Sequence, residues 1–380
     1  MNPDSYLGRR PLRRRLSDVR VRKLRMRSQL LAGTAGTDVR EVVAHMGAMQ
    51  AQSTPAARLT VRPRSSDLGA GAVTRACNEE RSVVRTWTLR GTLHMVAATD
   101  VAWMVALLGP TFAARGRRRR QQLGLDEKVC ARALRAMRDI MAGEGPLTRG
   151  ELVTRLIRNG VQVDPTGQAP AHLVGLAAMK GIVCRGPELP NDEATYVLLE
   201  EWLDPSPPLE PDEALAELTR RYLRGHGPAG ADDLAAWAGI ALGRARRGFE
   251  LVAGELEEVE VTRRPAWSLQ GGSAEPESAG PRVRLLPAFD AYVLGYRDRD
   301  LVLAPEFARR IQAGGGWIHP AVVVDGRITA TWRLRRGRGG GSVLVEPFKP
   351  FPRARLVDLE TEVADVGRFL GVEVGLDISV

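Results

Sequence analysis

Two glutamines separated by a single residue, Gln50 and Gln52, are the side chains whose type and spacing first suggest chemistry. They follow an apolar stretch with helical spacing and precede a break marked by Pro55. A neutral amide can hold a water against an electrophilic carbon, but it cannot take a proton as a carboxylate does. Such a pair would suit a substrate whose leaving group departs readily. Capping of a helix end, or contact with solvent, is the alternative role of these side chains.

A second polar cluster lies in residues 85–100, RTWTLRGTLHMVAATD, which indicates two strands joined by a turn. Its candidate residues are Arg85, Trp87, Arg90 and His94. Because side chains alternate along a strand, one face can carry several of them. We expect them to contact phosphate groups and to line a site. The alternative is a core tryptophan with solvated arginines and a structural histidine.

The chain is strongly basic, with a formal net charge of +10 over 380 residues, and its basic residues are almost all arginine. Arginine pairs with phosphate through two parallel hydrogen bonds, so the surplus favours a polyanionic partner. A GC-rich genome would explain the arginine-to-lysine ratio, but it would not explain the net charge. The four lysines, Lys23, Lys128, Lys180 and Lys349, all lie away from the glutamine pair in sequence.

The remaining composition excludes several classes of protein. Three separated cysteines without a CxxC pair argue against zinc ribbons, iron–sulfur clusters and disulfide scaffolds, and they fit a reducing cytoplasm. The five histidines show no ligand spacing, so we expect no metal and no cofactor. No apolar run is long enough to cross a membrane, and the charged residues after the N-terminal twin arginine argue against export.

The order of elements predicts an α+β fold, mainly helical, built from three tandem winged-helix (helix-turn-helix) units. Residues 1–25 are predicted to form a basic flexible tail, and residues 26–112 a first winged helix whose last helix ends at Pro110. Residues 115–124, RGRRRRQQLG, indicate an exposed linker. Two Gly-Pro pairs, at 145–146 and 227–228, each separate two amphipathic helices, which predicts further units at 122–204 and 210–275.

The C-terminal region, residues 280–380, is predicted to be rich in strands and to end in a closing helix over about 355–370. Asp325-Gly326, between β-branched runs, predicts a type I′ hairpin, with Arg333 and Arg335 near its end. Arginines there would enter a DNA minor groove; a solvated loop is the competing interpretation. Asp290, Arg297 and Asp298 belong either to a site or to a structural ion-pair network.

Four blocks carry a specific resemblance because they occur in one order: Gln50-Ala51-Gln52, RTWTLRGTLHMV, LLPAFDAYVLGYRDR and GGGWIHPAVVVDGRITATWR. Together they resemble the AlkZ/YcaQ group of winged-helix DNA glycosylases over roughly residues 26–370. The resemblance implies a C-shaped basic channel, removal of bulky N7-alkylguanines including crosslinks, and catalysis by Gln50 and Gln52. The Gln-x-Gln branch resembles self-resistance glycosylases of producers of DNA-alkylating compounds. Ser53-Thr54 stand where relatives often carry an acidic residue.

The chemistry of such a lesion agrees with the residue types. Alkylation at N7 makes the purine cationic, so it leaves without strong acid assistance, and normal guanine is expected to be inert. A bifunctional glycosylase needs an amine nucleophile, and no lysine lies beside the motif, so direct hydrolysis without strand cleavage is expected. We predict a monomer on double-stranded DNA in the cytoplasm, with DNA contacts from Arg58, Arg85, Trp87, Arg90, His94, Arg297, Arg333 and Arg335.

Two other classes remain open at this point. A winged-helix transcription regulator would bind DNA in a sequence-dependent way and would leave every lesion intact. A non-catalytic resistance protein would bind the adduct without forming an abasic product. Three units in one chain, with a polar pair beside the basic wing, fit the regulator poorly. Heat or alkali treatment of reacted DNA would separate the second alternative from the enzyme.

Overall fold

The computed structural model describes residues 14–32, 36–190, 192–205, 207, 209–272, 282–337 and 340–379. The fold is α+β, as predicted: helices and small sheets alternate in three successive segments, and a larger sheet forms the C-terminal part. Residues 1–13 of the predicted tail lie outside the described part of the chain.

The predicted flexible tail is wrong for residues 14–25. Strand β1 (Arg14–Arg15) pairs in parallel with the strand Leu256–Val261, and helix α1 (Asp18–Ser28) begins at the N-cap Ser17. Val21 and Leu24 are buried on one side of α1. Arg25 is buried too: its Nε donates to the Pro228 carbonyl at 3.1 Å. Helix α1 is rich in arginine but also has an apolar stripe that packs in the core, so its composition alone does not predict that it is folded.

The first segment, residues 36–97, has the order helix, strand, helix, helix, strand, strand. Helix α2 ends at Gly47, whose positive φ of 75° suits glycine. Strand β4 is central in a three-stranded sheet and pairs antiparallel with β2 and β3. The elements are α2 (Val39–Met46), β2 (Met49–Gln50), α3 (Thr54–Val61), α4 (Ala70–Asn78), β3 (Val83–Trp87) and β4 (Leu93–Ala97).

Two helices join the first segment to the second, α5 (Ala98–Arg115) and α6 (Arg117–Gln122). Both differ from the predictions. Helix α5 continues through Pro110 because buried side chains on both sides of it, Leu107 and Phe112 among them, hold the helix in the core. The arginine-rich stretch predicted as a linker is helical, and Arg120 is buried with its Nη2 donating to the Ala113 carbonyl at 2.7 Å.

The second segment, residues 127–202, repeats the order of the first, and its sheet has the same arrangement with β7 central. Its elements are α7 (Glu127–Glu144), β5 (Leu147–Thr148), α8 (Arg149–Arg158), α9 (Ala169–Met179), β6 (Val183–Arg185), β7 (Thr195–Leu198) and α10 (Leu199–Trp202). The third segment, residues 211–269, replaces the first strand by a bridge between Ala229 and Trp267. It contains α11 (Pro211–His226), α12 (Ala231–Ala238), α13 (Leu242–Leu251), β8 (Leu256–Val261) and β9 (Arg264–Leu269).

The C-terminal part is a five-stranded sheet in the order β10-β13-β14-β15-β16, with α16 beside it. The predicted hairpin at Asp325-Gly326 is confirmed, since both residues have positive φ (46° and 79°) between paired strands. The elements are β10 (Val283–Leu286), α14 (Ala291–Leu294), α15 (Ala308–Ile311), β11 (Gln312–Gly314), β12 (Trp317–Ile318), β13 (Ala321–Val324), β14 (Arg327–Gly337), β15 (Gly340–Pro347), α16 (Leu356–Leu370) and β16 (Val374–Ile378).

Buried clusters place the first segment between the other parts. Met49 and Met95, on paired strands of the first segment, share a core with Trp332 of the C-terminal sheet. The residues that connect the first segment to the third, Leu89 and Trp237, belong to a second core. The strand–turn–strand 83–97 is therefore in contact with more than one other part of the molecule, and the glutamine motif lies directly beside it.

Candidate active site

The glutamine motif lies on a strand and the connection that follows it, beyond the end of α2 at Gly47, so the alternative role of capping a helix end does not apply. Gln50 is in β2 opposite His94 of β4, and the Ala51 amide donates to the Leu93 carbonyl at 2.8 Å. Gln50 is half-buried, whereas Gln52 is exposed. Pro55 lies in the first turn of α3, so it begins a helix at the point where a break was predicted. The motif therefore caps no helix C-terminus.

The two amides are hydrogen-bonded to each other and to an arginine. Gln50 Nε2 donates to Gln52 Oε1 at 2.6 Å, and Arg90 Nη2 donates to Gln50 Oε1 at 2.7 Å. An amide oxygen has two lone pairs, so Gln52 Oε1 retains one acceptor position. Because Gln52 is exposed, its oxygen and its N–H groups can be reached by a water or by a substrate atom. This arrangement can orient a water molecule.

Arg90 connects this pair to the third segment. Its Nη1 donates to the Trp237 carbonyl at the end of α12, and its backbone has a φ of 54°. Burial, and then the positive charge of Arg299, lower the pKa of Arg90 to about 10, so the guanidinium stays charged at neutral pH. Sequence reasoning missed Arg299, which is half-buried, although it singled out its neighbours Arg297 and Asp298.

A carboxylate that no sequence pattern indicated lies beside the motif. Glu188, in the loop between β6 and β7 of the second segment, accepts from Thr54 Oγ1 at 2.9 Å and from Arg58 Nη2 at 2.7 Å. It also accepts from Arg85 Nη1 and is only 6% exposed. Thr54 is the first residue of α3, two positions after Gln52. An acidic residue from another segment thus reaches the region where the resemblance pointed to one.

Arg85 and His94 are buried and directed inward, so neither side chain offers the exposed surface that the predicted contact with DNA would use. The Arg85 guanidinium is buried and bonded to Glu188 and, at 3.2 Å, to the Gly186 carbonyl. His94 is 1% exposed, and its Nδ1 donates to the Thr92 carbonyl at 2.9 Å. Burial, aided by the charge of Arg90, lowers the pKa of His94 to about 3, so this histidine is neutral. These properties favour the alternative interpretation, a structural histidine.

The other predicted contacts differ in exposure. Arg58 and Trp87 are half-buried; Arg58 also pairs with Asp192 at 3.0 Å, and Trp87 packs beside Gly175 of α9. Arg297 is exposed, with its Nη1 3.6 Å from Asp232. Asp290, in contrast, is fully buried and paired with Arg64 at 2.7 Å, which makes it part of a structural network.

Arg333 and Arg335 are exposed on β14, at the end of the Asp325-Gly326 hairpin and near a run of glycines, as predicted. Both lie toward the end of this eleven-residue strand that is opposite the turn: Arg335 is eight residues, or about 26 Å, beyond the first residue of β14. They therefore belong to the β14–β15 pair of strands, near Gly337 and Gly340, which are paired with each other. Arg333 pairs with Glu346 across these two strands at 3.1 Å.

Within the described ranges, no group of three or more histidine, cysteine, aspartate and glutamate side chains has a geometry that could hold a metal ion. Among the same residues, no helix is both long and apolar enough to span a bilayer. Cys77, Cys130 and Cys184 are buried free thiols, and burial raises the pKa of Cys77 to about 11.

Comparison with known proteins agrees with this arrangement. The family described as "DNA glycosylase AlkZ-like" matches residues 43–369. The "Interstrand DNA cross-link repair glycosylase" of Streptomyces sahachiroi is 30% identical over 367 residues, covering 92% of this chain and 95% of that protein. The solved structure of the S. sahachiroi DNA glycosylase AlkZ superposes with a TM-score of 0.80 at 27% identity, covering 96% of this chain and 100% of that one. The chain belongs to the AlkZ-like family of DNA glycosylases.

Proposed function

We propose that the protein hydrolyses the N-glycosidic bond of bulky N7-alkylpurines in double-stranded DNA, including those that form crosslinks, and that it does so without cleaving the strand. The observation that carries the proposal is the bonded chain from Arg90 through Gln50 to the exposed Gln52. Gln52 Oε1 would accept a hydrogen bond from the attacking water beside the anomeric carbon; the water oxygen forms the new bond to that carbon as the glycosidic bond breaks, and the proton that the water loses passes to solvent. The cationic purine takes the electron pair of the glycosidic bond and leaves as a neutral base, so no carboxylate base is required.

The contacts of the nearby carboxylate, Glu188, support this assignment of roles. Glu188 accepts hydrogen bonds from one hydroxyl and two guanidinium groups. Its charge is thereby balanced by two guanidinium groups, and its oxygens are already occupied by the donors that surround it. We assign to it the positioning of α3 and β3 around the motif, and to the two amides the contact with water. Residue type then confines the enzyme to activated lesions, and normal guanine is inert.

The three segments are proposed to act as winged helices at 26–112, 122–204 and 210–275 that form a C-shaped basic channel around the duplex. The exposed arginines of the β14–β15 pair of strands, Arg333 and Arg335, would enter the minor groove, where negative potential favours arginine. We further propose a monomer acting at the nucleoid in repair or in self-resistance to an alkylating compound. Its relative in S. sahachiroi, named a crosslink repair glycosylase, supports crosslinks as substrates.

The test is a duplex with one N7-alkylguanine at a defined position, next to a matched duplex with unmodified guanine. We expect release of the free modified base and an alkali-labile abasic site only on the first duplex. Borohydride should trap no protein–DNA adduct, because a hydrolytic enzyme forms no Schiff base. Lesion binding that leaves the base attached would refute the glycosylase reaction, and a trapped adduct would refute direct hydrolysis.

A further inference from the structure

We propose that Arg90 is a positioning residue that sets the orientation of the Gln50 amide, and that it does not serve as a phosphate contact. This inference deepens the proposed function and rests on it. It also replaces the role that sequence reasoning gave to Arg90.

The donor and acceptor inventory fixes the orientation. A guanidinium group has five N–H donors and no acceptor, so the Gln50 oxygen must face Arg90 Nη2, 2.7 Å away. The Gln50 nitrogen then faces Gln52 Oε1 at 2.6 Å. The last torsion of a glutamine is broad and roughly two-fold, so without Arg90 the amide can turn over. The turned amide would present its oxygen to the Gln52 oxygen, and the chain of donors would be broken.

The third segment holds Arg90 in place on its other side. Arg90 Nη1 donates to the Trp237 carbonyl at the C-terminus of α12, where the helix dipole favours a cation. Gly239, which ends this helix with a φ of 73°, lies against Arg90: a Cβ there would be 3.0 Å from Arg90 Cα. Arg90 itself has a left-handed φ of 54°, a conformation costly for a residue with a side chain. A solvent-facing phosphate contact would need neither this strain nor this close packing.

The first experiment measures base release at saturating enzyme, DNA affinity and the salt dependence of that affinity for Arg90→Met. We expect the rate at saturation to fall about 100-fold, with Kd changed by less than about threefold and an unchanged slope against salt. The double variant Arg90→Met with Gln50→Ala should be no slower than Gln50→Ala alone, because Arg90 acts through Gln50. The matched control is Arg115→Met, which removes another hydrogen bond to the end of α12, from Arg115 Nη1 to Gly239 O at 2.7 Å; it should keep the parental rate.

If the logarithm of DNA affinity depended less steeply on the logarithm of salt concentration, by about one charge, while the rate at saturation stayed intact, Arg90 would be a phosphate contact and the proposal would be overturned. Additive losses in the double variant would also overturn it. Arg90→Lys is the second variant: its single ammonium cannot reproduce the planar fork, so we expect about a tenfold slower rate even if Arg90→Met does not fold.

A readout without catalysis separates this inference from the proposed function. In protein labelled at glutamine, NMR signals of the Gln50 side-chain N–H groups can be identified by their loss in Gln50→Ala. The hydrogens of these groups should exchange with solvent at least about tenfold faster in Arg90→Lys. Parental exchange and rate in Arg90→Lys would overturn the positioning role. A wild-type protein that releases no base, but whose Gln50 signals respond to Arg90→Lys, would instead overturn only the proposed function.

Discussion

The first and second segments share their order of elements, yet they differ where the first strand meets the second helix. The strand registers make Gln50 equivalent to Thr148 and His94 equivalent to Thr195. In the second segment α8 begins directly after Thr148, which forms a capping box with Glu151. In the first segment three residues intervene before α3, and the N-cap Ser53 makes no side-chain cap bond.

This difference shows how the same junction can use its polar side chains in two ways. In the second segment the polar side chains satisfy the helix N-terminus, and their hydrogen bonds are local. In the first segment Gln50 and Gln52 bond to each other and to Arg90, and they leave an exposed amide. At this junction the first segment lacks a side-chain helix cap and has instead a polar pair that a substrate can contact.

The largest expected effect separates the two junctions by activity. Gln52→Ala should lower base release about 100- to 1000-fold, the usual loss when one oriented polar group is removed. Thr148→Ala, at the equivalent strand position, should keep the parental rate within about twofold. Single-turnover release from lesion-bearing duplex measures both. Equal rates in the two variants would show that the junctions do not differ in function.

The next effect concerns the contact between the segments. Glu188→Gln leaves the buried Arg85 guanidinium beside a neutral group, and we expect the free energy of unfolding to fall by about 3 kcal/mol. The control is Glu144→Gln, which breaks the more exposed pair with Arg155 inside the second segment and should cost less than about 1 kcal/mol. Urea titration measures both; a similar loss in the two variants would contradict the special role of Glu188.

A third effect depends on pH. The folded-state pKa of His94 is about 3, below the ordinary 6.5. Between these two pH values the unfolded chain binds a proton at His94 and the folded protein does not. Stability therefore falls between pH 6.5 and 3, by about 2 kcal/mol at pH 5 for this group. His94→Thr, which copies Thr195, should remove this contribution, as measured by the difference between the two unfolding profiles from pH 7 to 5. Parallel profiles would show that His94 is not held neutral.

The smallest effect tests the caps themselves. Thr148→Ala removes both bonds that the Thr148 hydroxyl makes with Glu151 and should cost about 1 kcal/mol. Ser53→Ala removes no cap hydrogen bond and should change the free energy of unfolding by less than about 0.5 kcal/mol. Urea or thermal unfolding measures both variants. Equal losses would mean that Ser53 caps α3 in solution and that the junctions are more alike than the structure indicates.

Local signals predicted much of the fold. The Gly-Pro pairs at 145–146 and 227–228 lie between helices as expected, and the Asp325-Gly326 turn has the required positive φ values. The first segment has Gly47-Ala48 at the corresponding place, without proline, so its local sequence marks the end of α2 less clearly. The strand of two residues is too short for its periodicity to be seen in the sequence.

Long-range contacts could not be predicted. Glu188 is 134 residues from Thr54 and 103 from Arg85, and nothing in its local sequence indicates a partner. The inward orientation of Arg85 and His94 follows from the packing of the second segment and of the strands, whereas alternation alone leaves the choice of face open. Arginine-rich α1 and α6 looked solvated because their few apolar residues are sufficient for packing only in the presence of the other segments.

The hydrogen bond from Arg90 to Trp237 spans 147 residues of the chain. During synthesis the glutamines leave the ribosome long before the helix end that steadies their arginine partner. A partly synthesised chain would therefore contain both glutamines without the contact that holds Arg90 in place. If Arg90 positions Gln50 as proposed, the two amides become aligned only after the third segment has folded against the first.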